Sequence, residues 1–377
     1  MSKKVFKFFK WLGIILLILI FVLIIVTYFY MKRDVFGESP VGARLERIKK
    51  SPNFRDGKFV NLNHTPSLTE GYSMMGVIYD KLVTEYPRLS PIDQIPSQKV
   101  DLLKLPIEQN ILVWFGHSSY YIQLDGKRLL IDPVFSGNAS PIPGTVLAFK
   151  GTERYKVEDL PEIDYLIISH DHYDHVDYET LIKLRDKTKK VICGLGVGAD
   201  FEAWGYPLAK ILEKDWNETL DFGGGFFVHT TPARHFSGRG FTRNNTLWMS
   251  YVLQTPSRKI YIGGDSGYDT HYAEIGKKFG EIDLAILENG QYDEKWKYIH
   301  LLPEETLQAA KDLRAKRLFP VHSSKFVLAN HPWDEPLSKL TELNKDVNMP
   351  LVTPIIGQLV YLDDINQPFK KWWVGLK

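Results

Sequence analysis

The chain has 377 residues, of which 44% are hydrophobic and 24% charged, a composition typical of globular rather than disordered proteins. Its formal net charge of +2 gives no sign of a nucleic-acid binder, and no nucleic-acid partner is expected. The single cysteine, Cys193, excludes an intrachain disulfide framework and a cysteine-rich zinc site, but leaves the redox compartment open.

The N-terminus has the pattern of a membrane anchor. Four lysines precede an uncharged apolar run from Trp11 to Met31. About 20 apolar residues in a helix span the hydrocarbon core of a bilayer, and aromatic residues at both ends of the run suit its interfaces. A cleaved signal peptide would have a shorter apolar region followed by small residues, and a helix packed on a core would have a polar face. We therefore predict a basic leader and single-pass anchor over residues 1–31, which contacts the cell membrane through residues 11–31.

The charges around this run bear on its orientation. The lysines before the span favour a cytoplasmic N-terminus. Lys32, Arg33 and further basic residues up to Lys50 follow the span and weaken this bias. We expect the main domain to lie outside the cytoplasm, with the cytoplasmic face as the alternative.

Residues 32–106 are predicted to connect the anchor to the main domain and to pack on it. The segment is rich in proline and asparagine and contains several turn signals. Within it, Tyr72–Val83 places apolar residues at helical spacing. We expect this helix to pack on the main domain, and contact with lipid is the alternative.

Residues 107–377 are predicted to form one α/β domain of layered sheets covered by helices. Apolar runs of strand length alternate with amphipathic helical segments, an order typical of this class. The predicted helices are Tyr178–Lys187, Gly198–Gly205 and Pro303–Leu313. The predicted strands are Ile111–Phe115, Tyr120–Leu124, Arg128–Ile131, Tyr165–Ile168, Lys190–Cys193, Phe226–His229, Trp248–Gln254, Lys259–Ile262, Leu284–Leu287 and Arg317–Val321.

The segment Ser169–His175 carries the densest chemistry in the chain. It follows the apolar strand Tyr165–Ile168 and places His170, His172, Asp174 and His175 at H-x-H-x-D-H spacing. In an extended or turning backbone, alternate side chains point the same way, so His170 and His172 can share one metal ion. Imidazole and carboxylate groups are suitable zinc ligands.

Three further candidate ligands follow other predicted strands. His235 comes after Phe226–His229, Asp265 follows Lys259–Ile262, and His322 follows Arg317–Val321. Sheets present functional groups where their strands end, so these residues are expected to join the first motif.

This set of motifs resembles the metal signature of the metallo-β-lactamase superfamily. Further segments are similar to the branch of phospholipases D that hydrolyse N-acylphosphatidylethanolamine and, more distantly, to L-ascorbate-6-phosphate lactonases. The similarity extends over roughly residues 107–343. The segments that carry it, besides the ligand motifs, are Trp114–Ser119, Asp132–Ser136, Ser140-Pro141, His300–Glu305 and His322–Asn330.

The resemblance implies an αββα sandwich with two zinc ions per chain at one edge. It implies that His170, His172 and His235 bind the first ion, that Asp174, His175 and His322 bind the second, and that Asp265 bridges both. The sequence departs from the branch in its membrane-spanning segment. It also has Asp171, at a position without a ligand role, where the animal enzymes have asparagine.

The implied activity is hydrolysis by a hydroxide held between the two ions, with Asp174, Asp265 and His300 as catalytic residues. Two Zn²⁺ ions carry four positive charges; two aspartates and one hydroxide leave about one net positive charge, which favours an anionic substrate. The chain has no G-x-S-x-G nucleophile motif. We expect a phospholipase D-type phosphodiesterase acting on N-acylphosphatidylethanolamine-like lipids. The alternatives are a lactonase or small-molecule phosphodiesterase, and a non-catalytic binding protein; the oligomeric state is open.

His117 and His300 are the other histidines that lie in motifs of the resemblance. His300 is expected either to contact substrate or deliver a proton, or to be structural. His117 is expected to support the ligands or the core, rather than to bind metal.

Overall fold

The computed structural model describes residues 3–377, which form eight α-helices and fifteen strands. The helices are α1 (Lys3–Tyr30), α2 (Gly42–Lys49), α3 (Met74–Val83), α4 (Tyr178–Leu184), α5 (Gly198–Ala203), α6 (His271–Phe279), α7 (Pro303–Asp312) and α8 (Glu335–Val347). The strands are β1 (Phe54–Arg55), β2 (Lys58–Phe59), β3 (Ile111–Trp114), β4 (Tyr120–Leu124), β5 (Lys127–Ile131), β6 (Ile163–Ile167), β7 (Thr188–Gly194), β8 (Ile211–Lys214), β9 (Thr219–Asp221), β10 (Phe227–Thr231), β11 (Ser250–Gln254), β12 (Lys259–Ile262), β13 (Leu284–Glu288), β14 (Leu318–Val321) and β15 (Leu359–Tyr361).

Two mixed sheets form the centre of the main domain. The first has seven strands in the order β15-β3-β4-β5-β6-β7-β8, and the second has six in the order β14-β13-β12-β11-β10-β9. Strands β5 to β8 of the first sheet run parallel, as do β12, β13 and β14 of the second. Some antiparallel pairs are short hairpins: β4 and β5 are joined by Asp125-Gly126, with Leu124 opposite Lys127.

The two sheets form a four-layer sandwich, in which helices cover the outer face of each sheet. Side chains alternate along each strand, so that each strand contributes to two apolar layers. In β3, Leu112 and Trp114 enter the apolar cluster shared by both sheets, while Ile111 and Val113 enter a second cluster with α4 and α5. A third cluster buries the outer face of the second sheet under α6, α7 and α8. Because successive side chains of a strand point to opposite faces, one strand can serve two layers. The expected fold class, an αββα sandwich of α/β type, is confirmed.

Most predicted elements are present, and their observed limits differ by a few residues. The Tyr178–Lys187 prediction ends three residues too late, since α4 ends at Leu184. Helices α2, α6 and α8 and the short strands β1, β2, β8, β9 and β15 were not predicted from the sequence. Helix α7 begins at Pro303 as predicted, and the Glu305 side chain accepts the backbone N–H of Leu302 at 3.0 Å.

The N-terminal helix α1 is long and apolar enough to cross a membrane. It has 28 residues, about 42 Å of helix, and none of them is buried. The segment that follows contacts the main domain, because Ile48, Phe59 and Ile95 join the cluster between the sheets and Leu102 joins the outer cluster.

Helix α3 is present and contacts the main domain through Met74, Val77 and Asp80, but its other face lies outward. None of its residues is buried, and Met75, Tyr79 and Leu82 are more than half exposed. Periodicity showed that these residues share a face, but not that the face lies outward.

Several strands of both sheets have their C-terminal ends at the same edge of the sandwich. Strand β3 runs antiparallel to β4, which runs antiparallel to β5, so the last residues of β3, β5 and β6 lie on the same side. In the second sheet, β10, β12, β13 and β14 likewise end together. The loops that leave four of these strands, β6, β10, β12 and β14, carry the seven predicted ligands.

Candidate metal centre

All seven predicted ligands converge at this edge of the sandwich. Six are buried and His172 is half-buried. They lie within reach of one another in overlapping groups, although the chain brings them from segments as far apart as residues 170 and 322.

Three histidines form the first group. Nε2 of His170 lies 2.8 Å from Nδ1 of His172, and Nε2 of His235 lies 3.3 Å from the same atom. The arrangement confirms the expectation that His170 and His172 point the same way, and it adds His235 from the other sheet.

The second group contains Asp174, His175 and His322. Oδ2 of Asp174 lies 3.3 Å from Nε2 of His175 and 3.3 Å from Nε2 of His322. It also lies 2.8 Å from Nε2 of His117, which is completely buried. His117 therefore supports the Asp174 carboxylate, as expected from the sequence.

Asp265 lies between the two groups. Its carboxylate is 3.3 Å from Nε2 of His175 and 3.1 Å from Nε2 of His322. It is 3.8 Å from Nε2 of both His170 and His235. Asp265 is thus in a position to contact ions in both groups.

The hydrogen-bond partners behind the histidines determine which nitrogen faces the centre. Nδ1 of His235 donates to the carbonyl of Ile299 at 2.8 Å, and Nδ1 of His175 donates to Asp132 at 2.9 Å. With Nδ1 protonated, the neutral ring carries its lone pair on Nε2, and this atom points into the centre. Nδ1 of His322 similarly faces the carbonyl of Gly290 at 3.3 Å.

The donor set fits metal ions. Nε2 of His175 and Oδ1 of Asp265 are buried without a hydrogen-bond partner among the described residues, which is costly unless another group satisfies them. Ligands held at about 2.0–2.1 Å in a tetrahedral zinc site lie about 3.3 Å apart, and most separations in the second group are close to that value. Nitrogen and carboxylate oxygen donors suit zinc and related ions.

The charges of the second group act strongly on one another. Burial alone would lower the pKa of His175, but in the metal-free protein the Asp265 and Asp174 carboxylates outweigh it and hold that pKa well above its ordinary value, so that a bound cation would take the place of the proton on Nε2. Burial would likewise raise the pKa of Asp265, but His175 and His322 hold it well below the ordinary value. The pKa of Asp174 is also held well below its ordinary value, although burial would raise it, because His175, His117 and His322 oppose that effect. The Asp174 and Asp265 carboxylates therefore stay ionised, and their negative charge attracts cations.

Two acidic residues for which no role was predicted from the sequence complete the surroundings of the ligands. Asp132, at the end of β5, accepts the backbone N–H and the hydroxyl of Ser169 as well as the proton on His175. Glu288, the last residue of β13, lies 2.6 Å from Nδ1 of His300 and 3.4 Å from Nδ1 of His322. Each is a carboxylate at the end of an apolar strand, the same signal that identified Asp265.

His300 lies beside the ligands, as its motif suggested. Its Nδ1 is 4.0 Å from Asp265, and its ring centroid is 5.0 Å from that of His235. By contrast, His271 is buried at the start of α6, where it contacts the Ser266 hydroxyl at 3.2 Å. It does not line the cavity that opens beside the seven ligands. Asp171 accepts from Gly238 and Thr246, consistent with a position that has no ligand role.

Two glycines permit the close approach of these loops. Gly264 has a φ of +60°, and a Cβ there would lie 2.6 Å from that of Ser169. A Cβ on Gly267 would lie 2.1 Å from the carbonyl oxygen of Tyr298, two residues before His300. Larger residues would separate the loops that carry Asp265, His170 and His300.

A cavity of about 300 Å³ opens beside the ligands. His172, Asp174, His235, Asp265, His300 and His322 line its floor. The rest of the lining is mainly apolar and includes Leu68, Met74, Val77, Phe236, Trp296, Ile299 and Leu328. Among the described residues that line the cavity, Arg243 is the only basic side chain other than histidine.

Comparisons with known proteins agree on the fold and the superfamily. The profile of the beta-lactamase superfamily domain matches residues 127–323. An uncharacterized protein of Mycobacterium tuberculosis is 36% identical over 331 residues, which cover 86% of this chain and 88% of that protein. N-acyl-phosphatidylethanolamine-hydrolyzing phospholipase D 1 of Caenorhabditis elegans is 30% identical over 254 residues, 61% of this chain and 68% of its own length. The structure of Igni18, a metallo hydrolase from Ignicoccus hospitalis, superposes with a TM-score of 0.52 at 19% identity, covering 67% of this chain and 98% of that one.

Proposed function

The chain belongs to the metallo-β-lactamase superfamily of metal-dependent hydrolases, and we propose that it is a membrane-anchored, binuclear zinc phosphodiesterase acting on N-acylphosphatidylethanolamine-like lipids. The superfamily accounts for the fold and for a metal-dependent hydrolytic reaction. The number of metal ions, the lipid substrate and the anchor are the parts that we propose.

The observation that carries the proposal is the lining of the central cavity. Apolar side chains form its walls and the cluster of histidines and aspartates forms its floor. A small basic cavity would suit a sugar phosphate, whereas apolar walls suit acyl chains. The similarity to a phospholipase D that hydrolyses N-acylphosphatidylethanolamine supports the same substrate class.

We assign the two ions to the two groups. His170, His172 and His235 would hold one, Asp174, His175 and His322 would hold the other, and Asp265 would contact both. When bound, zinc acts as a Lewis acid and lowers the pKa of coordinated water to roughly 7.

The remaining residues position the substrate and handle a proton. The guanidinium of Arg243 lies 5.0 Å from the centre of the Phe236 ring at the cavity wall, where its fork of donors can bind a phosphodiester. Glu288 holds the proton of His300 on Nδ1, while Nε2 has no hydrogen-bond partner among residues 3–377. His300 is therefore placed to contact the leaving oxygen and, when protonated on both nitrogens, to give it a proton.

We propose that α1 is a single-pass anchor and that the main domain lies outside the cytoplasm. No side chain of α1 is buried against the domain, which leaves its apolar surface for lipid.

The test compares three substrates with full-length protein in mixed micelles: N-acylphosphatidylethanolamine, a lactone and a soluble generic phosphodiester. We expect release of an N-acylethanolamine and phosphatidic acid, lost on chelation and in His170→Ala. His229→Ala is the matched control, because His229 lies on β10 away from the cavity and bonds Thr219. Lactone opening without lipid cleavage would assign the protein to the lactonase alternative instead.

A further inference from the structure

Helix α3 presents an apolar face that nothing in the described chain covers. Met75, Ile78, Tyr79, Leu82 and Val83 are between 48% and 79% exposed. Soluble proteins rarely expose so many large apolar side chains together, and such patches mark contact with a partner or a membrane.

The position of α3 is fixed by polar contacts rather than by apolar burial. Asp80 pairs with Lys295 at 3.0 Å, and the backbone N–H of Thr69 donates to the Lys295 carbonyl at 2.8 Å. Met74 and Val77, on the other side of the helix, line the cavity above the metal centre. Helix α3 therefore forms one wall of the cavity while its apolar face lies outward.

The loop of residues 236–243 connects this wall with the base of α1. Phe236 and Arg243 line the metal cavity together with Met74 and Val77. Gly240 and Phe241, in the middle of the loop, line a separate cleft with Met31 and Lys32, the first residues after α1. Phe241 is 84% exposed. The cavity and the base of the apolar helix thus lie on the two sides of one short loop.

Basic residues accompany these apolar ones. Lys32, Arg33, Lys81 and Arg243 are exposed at the base of α1, on α3 and on the loop between them. Cationic and aromatic side chains beside an apolar helix face are typical of surfaces that enter the headgroup region of an anionic bilayer.

We propose that α3 and Phe241 insert into the bilayer that holds α1, so that the cavity opens towards lipid and its substrate enters laterally from the membrane. The proposal rests on the proposed function for the anchor and for the lipid nature of the substrate. A lipid bilayer is the occupant we assign because the apolar face adjoins the base of α1, which is itself apolar on every side.

The depth of α3 can be measured without an activity assay. Full-length Leu82→Cys and, separately, Ile365→Cys are labelled with an environment-sensitive nitrobenzoxadiazole probe in nanodiscs of phosphatidylcholine and phosphatidylglycerol. The native Cys193 is fully buried, so labelling is confined to the new thiol. Ile365 is 67% exposed and follows β15, whose Tyr361 pairs with Ile111 at the start of β3. It therefore lies at the edge of the sandwich opposite the metal centre.

We expect blue-shifted emission at position 82 and several-fold quenching by spin-labelled lipid, with water-like emission at position 365. Water-like emission at both positions would overturn the proposal. Shielding at position 82 that spin-labelled lipid does not quench would also overturn it, in favour of a protein partner or a second copy of the chain.

A second measurement concerns substrate entry. Met75→Glu combined with Leu82→Glu changes two outward side chains that do not line the cavity. Relative to the wild-type protein, we expect the variant to have a several-fold lower rate on lipid in bilayers and an unchanged rate on a soluble phosphodiester. If the variant kept the wild-type rate on both substrates, lateral entry would be refuted. If the wild-type protein cleaves no lipid, the proposed function fails, whereas the depth of position 82 is still determined by the probe.

Discussion

Glu288→Gln tests whether the network behind the ligands matters for activity. Oε2 of Glu288 lies 2.6 Å from Nδ1 of His300, and Oε1 accepts the backbone N–H groups of Ser266 and Leu301 at 2.7 and 3.1 Å. Glutamine keeps the shape of the side chain. If its carbonyl keeps the two backbone N–H groups, however, its amide nitrogen must face the Nδ1–H of His300, so donor meets donor.

The expected size of this effect is that of one lost hydrogen bond, the one between Glu288 and His300. Loss of one hydrogen bond to a charged group costs about 1.5–3 kcal/mol, or roughly 10- to 150-fold in an equilibrium or rate. We expect kcat/KM on the lipid substrate to fall within that range and zinc affinity to weaken through His322, as is usual when an outer partner of a metal ligand is lost.

The assay combines steady-state hydrolysis with elemental analysis of dialysed full-length protein. Glu305→Gln is the matched control, because the Glu305 carboxylate caps α7 through the N–H of Leu302 and contacts no histidine. Wild-type activity and metal content in Glu288→Gln would refute the reasoning, as would an equal loss in Glu305→Gln.

Two further predictions concern metal stoichiometry and pH. Asp174→Ala should reduce bound zinc from two ions per chain towards one and nearly abolish hydrolysis, whereas Asp186→Ala, at an 88% exposed side chain, should change neither; elemental analysis checks this. Burial raises the pKa of Asp200 from its ordinary 3.8 to about 7, with Arg239 opposing the shift. Because the folded state favours the protonated form, the stability associated with this carboxyl is full below about pH 4 and is lost as pH rises through about 7. Asp200→Asn should therefore raise the free energy of unfolding above pH 7 by at most about 4 kcal/mol and leave it unchanged near pH 4. Thermal melts across this range would contradict the assignment if the difference between the two proteins did not depend on pH.

The sequence identified the centre of the site because its ligands follow apolar strands. The H-x-H-x-D-H motif comes directly after one such run, and His235, Asp265 and His322 come after three others. The ends of parallel strands meet at one edge, so strand order along the chain was enough to place these residues together. Glu288 satisfies the same rule but was missed, since a single carboxylate after a strand has no local motif. Asp132 lies in a segment of the family resemblance, but no role was predicted for it.

Other features depended on contacts that sequence periodicity does not encode. The edge strand β15 has only three residues and owes its place to pairing with β3, and the nine-residue helix α6 packs against α7. The outward face of α3 could not be inferred either. Periodicity assigns Ile78 and Leu82 to a common face, and only the position of the cavity shows that Val77 points inward.

Zinc titration of metal-depleted, full-length protein tests the central proposal most directly. Hydrolysis of N-acylphosphatidylethanolamine in bilayers, followed by release of N-acylethanolamine, should be absent without metal and should rise until two zinc ions are bound per chain. Full activity in the metal-depleted protein, or no lipid cleavage with two ions bound, would contradict it.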